Sequence, residues 1–291
     1  MTRTTPPRPV DVVAVFPELA AMQRQTVRLH PRVGTPAATE SSIGGPLLWP
    51  GEEPWPMCAG PHVRDRSFLT VPLSTVPGDP TPNAMIPVAQ LFTRDLPSPL
   101  GLPGFETADL LQVLWCPVDH PETYLPRLHV VWRQAASVQQ VLPEPPSPIR
   151  VDDYYTPVPC VLHPELVAEL PAVLQVPDGL SERIGAWENE AGWDYQDDLS
   201  VVPGFKLGGW APWSFSDPFP ISCKTCHAAM IPLFTISSGE WDGDGASWIP
   251  VEDRGARPGF APTGITVGRG NDLQLYCCPN SPAHPVQANL Q

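Results

Sequence analysis

Cysteine and histidine carry the chemistry that this sequence displays most openly. Cys223-Lys224-Thr225-Cys226-His227 places two thiols three positions apart. A Cys-x-x-Cys turn sets two thiolates at a separation that suits one tetrahedral metal, and a structural zinc then needs two more ligands. Cys277 and Cys278 supply a third, and His284 follows shortly after. The set expected to converge is Cys223, Cys226, Cys278 and His284, with Cys277 or His227 as substitutes. Neighbouring side chains on a strand point to opposite faces, so a regular strand offers only one of Cys277 and Cys278. Two other readings stand beside zinc: a pair of reduced, partly buried thiols, and a redox pair. A thioredoxin-type pair sits in a βαβ context, and the sequence shows none. Earlier in the chain Cys58, Cys116 and His120 occupy related places without a Cys-x-x-Cys, and that half is expected to have lost any site.

No other cluster has comparable specificity. Trp241-Asp242-Gly243-Asp244-Gly245 opens like a calcium loop, but the twelfth position from Asp242 is Asp253 rather than Glu, so a tight turn is expected. His30, His62, His129 and His163 are scattered, with no Gly-x-Ser-x-Gly elbow and no His-Glu-x-x-His pair. Asp152-Asp153 reads as a solvated acid pair. Gly264, Gly268 and Gly270 lack the dinucleotide-binding spacing.

The elements that would position these residues are short. Of 291 residues, 42 are proline, about 14% against a usual share of about 5%. An interior proline breaks a helix and cannot donate to a sheet ladder, so a helix bundle and a sheet of long regular strands are both disfavoured. The chain is nonetheless 42% hydrophobic, only 16% charged, and holds 10 Trp, 9 Phe and 5 Tyr. That much apolar area offsets the entropy of ordering, which excludes general disorder. Strands are expected near 86–92, 110–116, 128–133, 231–236 and 273–277. Helices are expected in the proline-free run 17–30, with Leu19, Met22 and Val27 on one face, and at 181–189 with Ser181 as cap. A helical turn is expected at 164–170.

Three blocks recur in order. Ser42-Ile43-Gly44-Gly45-Pro46 with Trp49 matches Lys206-Leu207-Gly208-Gly209 with Pro212 and Trp213. Met85-Ile86-Pro87-Val88 matches Met230-Ile231-Pro232-Leu233, and Leu111-Gln112-Val113-Leu114-Trp115-Cys116-Pro117 matches Leu273-Gln274-Leu275-Tyr276-Cys277-Cys278-Pro279. Gly44 to Leu111 spans 67 positions, and Gly208 to Leu273 spans 65. Three ordered matches at near-equal span indicate a duplicated unit. The third block aligns Cys278 with Cys116, which favours Cys278 over Cys277 as ligand. The paired glycines permit positive φ and close backbone approach. They are not a phosphate loop, since Pro46 or Pro212 stands where its helix would start.

The expected fold is α+β, mainly antiparallel β, with two pseudo-symmetric halves, an N-terminal helix and short helices between the halves. The expected divisions are a flexible tail at 1–16, a first half at 17–142, a proline-rich linker at 143–160 and a second half at 161–291, the halves packed as one unit.

These motifs resemble the YwqG-like family of bacterial proteins over roughly residues 41–285. Ile43-Gly44-Gly45-Pro46, Val88-Ala89-Gln90-Leu91 and Leu111-Gln112-Val113-Leu114 match the pattern of its first half, and Lys206-Leu207-Gly208-Gly209 that of its second. The second half also looks like the programmed cell death protein 2 family. Gly208-Gly209-Trp210-Ala211-Pro212-Trp213, Cys223 with Cys226, Met230 and Tyr276-Cys277-Cys278 are similar in order. Pro212 comes one position late for that pattern, and Phe234-Thr235 replaces the usual Leu-Gln. The resemblance implies an antiparallel α+β fold with pseudo-twofold halves and a protein-interaction role, chaperone-like or immunity-type. It carries over no catalytic residue.

Net charge is −14, with only two lysines, Lys206 and Lys224. Such a chain repels phosphate backbones, so no nucleic-acid partner is expected, whereas a basic protein partner suits it. Seven acids between Asp178 and Asp198, against the one cation Arg183, read either as a solvated face or as a docking surface. The first nine residues lack an apolar signal region, and no apolar run is long enough for a membrane span. The expectation is a cytoplasmic, non-enzymatic protein-interaction module with a structural zinc. A zinc-dependent enzyme is the alternative.

Overall fold

The most apolar runs of the chain pair in two antiparallel ladders. Ile86–Phe92 joins Leu110–Trp115, and Ile231–Ser237 joins Asp272–Cys277. The computed structural model describes residues 2–63, 78–97, 101–241, 246–255 and 260–291. The turn expected at 241–245 falls largely outside these residues.

Among the described residues the strands are β1 (Arg24–Arg28), β2 (Arg32–Val33), β3 (Ser42–Ile43), β4 (Met57–Cys58), β5 (His62–Val63), β6 (Gly78–Asp79), β7 (Asn83–Ala84) and β8 (Ile86–Phe92). They continue with β9 (Leu110–Trp115), β10 (Leu128–Arg133), β11 (Cys160–Val161), β12 (Glu165–Glu169), β13 (Lys206–Gly208), β14 (Ile231–Ser237), β15 (Asp272–Cys277) and β16 (Gln287–Leu290). The α-helices are α1 (Val12–Val15) and α2 (Asp178–Ala191). One sheet runs β10-β9-β8-β3-β11-β2 and the other β12-β1-β13-β14-β15-β16. Every pairing in them is antiparallel. The fold is α+β and mainly antiparallel, as the short alternating runs imply.

The two sheets share a core. Ile43, Val88, Leu91, Leu111, Val113 and Trp115 of the first sheet pack in one cluster with Val27, Leu207, Phe234, Leu273, Leu275 and Cys277 of the second. Strand period two then sends the alternate residues outward. Leu114 and Cys116 join Trp49 and Cys58 in a cluster outside the first sheet. Tyr276 and Cys278 join Trp213 and Cys223 outside the second.

The matched sequence blocks take matching positions. β8 and β14 each span seven residues, and each ladder shifts register just after its proline, between Pro87 and Ala89 and between Pro232 and Phe234. A bulge is where a strand tolerates a residue without an N–H. Gly44 and Gly208 have φ values of 63° and 66°. Gln90 pairs with Gln112 across the first ladder and Thr235 with Gln274 across the second. Gln112 Nε2 donates to Gln90 Oε1 (2.8 Å), and Thr235 Oγ1 donates to Gln274 Oε1 (2.7 Å).

Three local expectations are corrected. The expected N-terminal helix is α1 followed by a 3-10 helix over Pro17–Met22, and Val27 lies on β1. Residues 165–169 form β12 rather than a helical turn. These two misread segments pair with each other, Arg24 opposite Glu169 through Arg28 opposite Glu165. A ladder between residues so distant in sequence overrides weak local preference. α2 begins at Asp178, so Ser181 lies inside it and does not cap it; Gly192 in the left-handed conformation ends it.

Strands also cross between the halves. β1, early in the chain, sits in the second sheet, and β11 sits in the first. The proline-rich stretch 143–160 is held against the first sheet. Asn83 Oδ1 accepts from the amides of Ile149 (2.8 Å) and Arg150 (3.0 Å), and Trp115 Nε1 donates to the carbonyl of Tyr155 (2.8 Å). The N-terminal stretch is tied to the second sheet, where Arg8 donates to the carbonyls of Leu199 (2.7 Å) and Ala168 (2.9 Å).

Candidate metal centres

The Cys-x-x-Cys segment forms a tight knuckle. The amide of Cys223 donates to Ala228 O (2.9 Å), and the amide of His227 donates to Cys223 O (2.9 Å). Ser222 and Ala229 bridge at its base. His227 itself has φ 61° and points to solvent. The amide of Thr225 is directed at Cys223 Sγ (3.4 Å), and Asn280 Nδ2 at Cys226 Sγ (3.6 Å). Cys278 follows β15, and the turn after it brings His284 back.

The ligand atoms of Cys223, Cys226, Cys278 and His284 all lie within 4.8 Å of one another. Cys226 Sγ is 3.4 Å from Cys278 Sγ, and His284 Nδ1 is 3.2 Å from Cys278 Sγ and 3.5 Å from Cys223 Sγ. A tetrahedron with Zn–S bonds of about 2.3 Å has edges of about 3.8 Å, close to these separations. The donor set can therefore hold a metal such as zinc. The choice between Cys277 and Cys278 follows from strand alternation: Cys278 faces the cluster, while Cys277 faces the core between the sheets.

The electrostatics differ among the thiols. Burial works against ionising Cys223, but the amides of Cys226 and Thr225 outweigh it and bring its pKa down to about 6. Burial pushes Cys278 up. Cys160 and Cys277, away from both clusters, are pushed by burial to about 11 and about 12.

The first half also brings together a set of residues that could hold a metal. Cys58, His62, Cys116 and His120 also place their ligand atoms within 4.8 Å of one another, and all four residues are buried. β4 carries Cys58, β5 carries His62, and Cys116 follows β9. Gly60, with φ 74°, turns the chain between Cys58 and His62; a side chain there would meet Asp79 O at 2.6 Å. Cys116 hydrogen-bonds Cys58 and favours its thiolate, so Cys58 is pulled well down while Cys116 is pushed up. The signal that sequence reading passed over is a repeated spacing, Cys58-x-x-x-His62 and Cys116-x-x-x-His120. Neither pair is a Cys-x-x-Cys, and the two lie far apart in the chain.

The other polar groups are built into the scaffold. His30 Nδ1 lies 2.5 Å from Glu240 Oε1 and its Nε2 lies 3.2 Å from Glu165 Oε2. Arg32 pairs with Glu240 and Asp253. Lys206 Nζ and Glu169 Oε2 form a fully buried ion pair (2.7 Å). Along the acidic stretch Asp178, Glu182, Glu190 and Asp194 face solvent, while Glu188 accepts from the amide of Tyr195 (2.6 Å). A groove of about 700 Å³ between β10 and residues 282–286 passes His284. Among the described residues no helix is long and apolar enough to cross a membrane. No protein-family model matches the chain, and no curated protein matches it.

Proposed function

We propose that this protein is a cytoplasmic, non-enzymatic protein-interaction module of the YwqG-like kind, built from two copies of one unit. A structural zinc at Cys223, Cys226, Cys278 and His284 holds its second half. The observation that carries this reading is the closed four-ligand set at the base of an irregular, solvent-facing segment. Residues 214–222 form no strand or helix. Their anchors are the knuckle at one end and Gln291 at the other, where Oε1 faces the amides of Ser214, Phe215 and Ser216 at 3.2–3.3 Å. That segment exposes Phe215 (69%) and Phe219 (51%). A metal that fixes such a chain presents aromatic anchors at low entropic cost, and aromatic anchors dominate protein interfaces. The charge of −14 favours a basic partner.

Two copies of one unit account for the matching bulges, glycines and buried polar pairs of the two ladders. The alternative, a zinc enzyme, draws support from the groove beside His284. A catalytic zinc keeps an open position, however, whereas this donor set supplies four protein ligands.

The test is capture of a defined protein from lysate. Recovery should fall at high salt and in a Phe215→Ala/Phe219→Ala variant whose zinc content is unchanged. Recovery of nothing above background refutes the interaction role. Protein that folds fully in chelator and purifies without metal refutes the structural zinc.

A further inference from the structure

We propose that Cys58, His62, Cys116 and His120 bind a second zinc ion, independent of the one above. Three observations point there together.

The first is an orphaned imidazole. His62 is fully buried, and among the described residues neither its Nδ1 nor its Nε2 has a hydrogen-bond partner. A neutral imidazole buried in this way strands one N–H and one lone pair, and each unsatisfied group opposes folding. Native interiors seldom keep such a group without a reason. A metal bond uses the lone pair directly.

The second is the orientation of His120. Its Nδ1 lies 3.0 Å from the carbonyl of Leu125, to which it donates, and this fixes the proton on Nδ1. Nε2 is thereby left with its lone pair, 3.2 Å from Cys58 Sγ. Zinc-bound histidines are held in this manner, with the far nitrogen donating to a carbonyl or carboxylate.

The third is the support around the sulfurs. Asn83 Nδ2 is directed at Cys116 Sγ (3.6 Å) and also donates to Arg150 O (2.9 Å). The His62 and His120 rings meet edge to face with centroids 5.2 Å apart, so both sit in one pocket. The strands that bear Cys58 and His62 are two residues long, β4 against β7 and β5 against β6. Pairs so short have little stability alone. A two-sulfur, two-nitrogen set with no carboxylate suits zinc better than a hard cation.

This site and the earlier one sit outside equivalent strands, after β9 and after β15, yet their ligand sets differ: two Cys and two His against three Cys and one His. That difference makes the test specific. Full-length protein from zinc-supplemented cells is analysed for metal by mass spectrometry and by zinc X-ray absorption. The expected content is two zinc ions per chain, with a mean first shell of 2.5 sulfur and 1.5 nitrogen atoms per zinc. His62→Ala should retain one zinc, with three sulfurs and one nitrogen. Cys223→Ser should retain one, with two of each. The absorption result on unaltered protein stands even if a variant fails to fold.

One zinc per chain with three sulfurs, lost in C223S and kept in H62A, overturns this proposal and leaves the earlier reading intact. One zinc lost in H62A and kept in C223S does the reverse. Iron or copper in place of zinc at the two-histidine site also overturns it.

Discussion

Lys206→Met should unfold this protein more readily than any surface change, and the cost can be worked from its surroundings. Lys206 and Glu169 are both fully buried. Glu169 Oε2 accepts from Lys206 Nζ (2.7 Å) and from the amide of Val202 (2.9 Å), while Oε1 accepts from the amide of Trp210. Lys206 also donates to the carbonyl of Trp210 (2.8 Å). The pair thus clamps the Gly208-Gly209-Trp210 turn, whose continuation, Ala211 and Trp213, packs against Cys223 and Cys278. Burial lowers the lysine pKa, and the charge on Glu169 opposes that shift. Removing one partner leaves the other charge buried and uncompensated, at about 3–5 kcal/mol. At roughly 2 °C per kcal/mol for a chain of this size, the midpoint should fall by about 6 °C or more. The assay is urea and thermal unfolding by tryptophan fluorescence at saturating zinc, on K206M, E169L and the double variant. The double variant should cost less than either single one, because it leaves no uncompensated buried charge. A K206M protein within about 1 kcal/mol of the parent would refute the reasoning, since that is the worth of an exposed bridge.

Gly209→Ala should be comparably damaging: φ is 72° and the new Cβ would sit 1.9 Å from Glu169 Oε1, so a loss of soluble protein or a lowered midpoint is expected. In chelator, alkylation at pH 8 followed by peptide mapping should find Cys226 labelled first, because it is the one cysteine in the described residues that is not buried. Cys160 and Cys277, pushed by burial to about 11 and about 12, should label last, and early labelling of either would contradict the packing. Burial and the nearby Arg3 lower the pKa of His163 below its ordinary 6.5. The unfolded chain then binds the proton first, so this group's contribution is intact above pH 6.5 and is lost as pH falls from there through the lowered value. An NMR titration midpoint for His163 at or above 6.5 would contradict this.

Much of the candidate chemistry was legible in the sequence because it rested on local rules. The Cys-x-x-Cys turn follows from spacing, the strands at 86–92 and 128–133 from β-branched and aromatic content, and the preference for Cys278 over Cys277 from its alignment with Cys116. The recurring blocks fall on β8, β9, β14 and β15, whose two ladders each shift register just after a proline. Ladders between distant residues were not legible. Residues 24–28 and 165–169 have no strong preference of their own, and each becomes a strand because the other supplies its hydrogen bonds. The same holds for the candidate site of the first half. Cys58 and His62 are one short turn, Cys116 and His120 another, and nothing within either announces a site. Only the shared sheet core, which turns Trp115 inward and therefore Cys116 outward, brings those two turns face to face. Convergence of this kind depends on which faces are buried together, and that is fixed by packing across the whole chain rather than by any one segment of it.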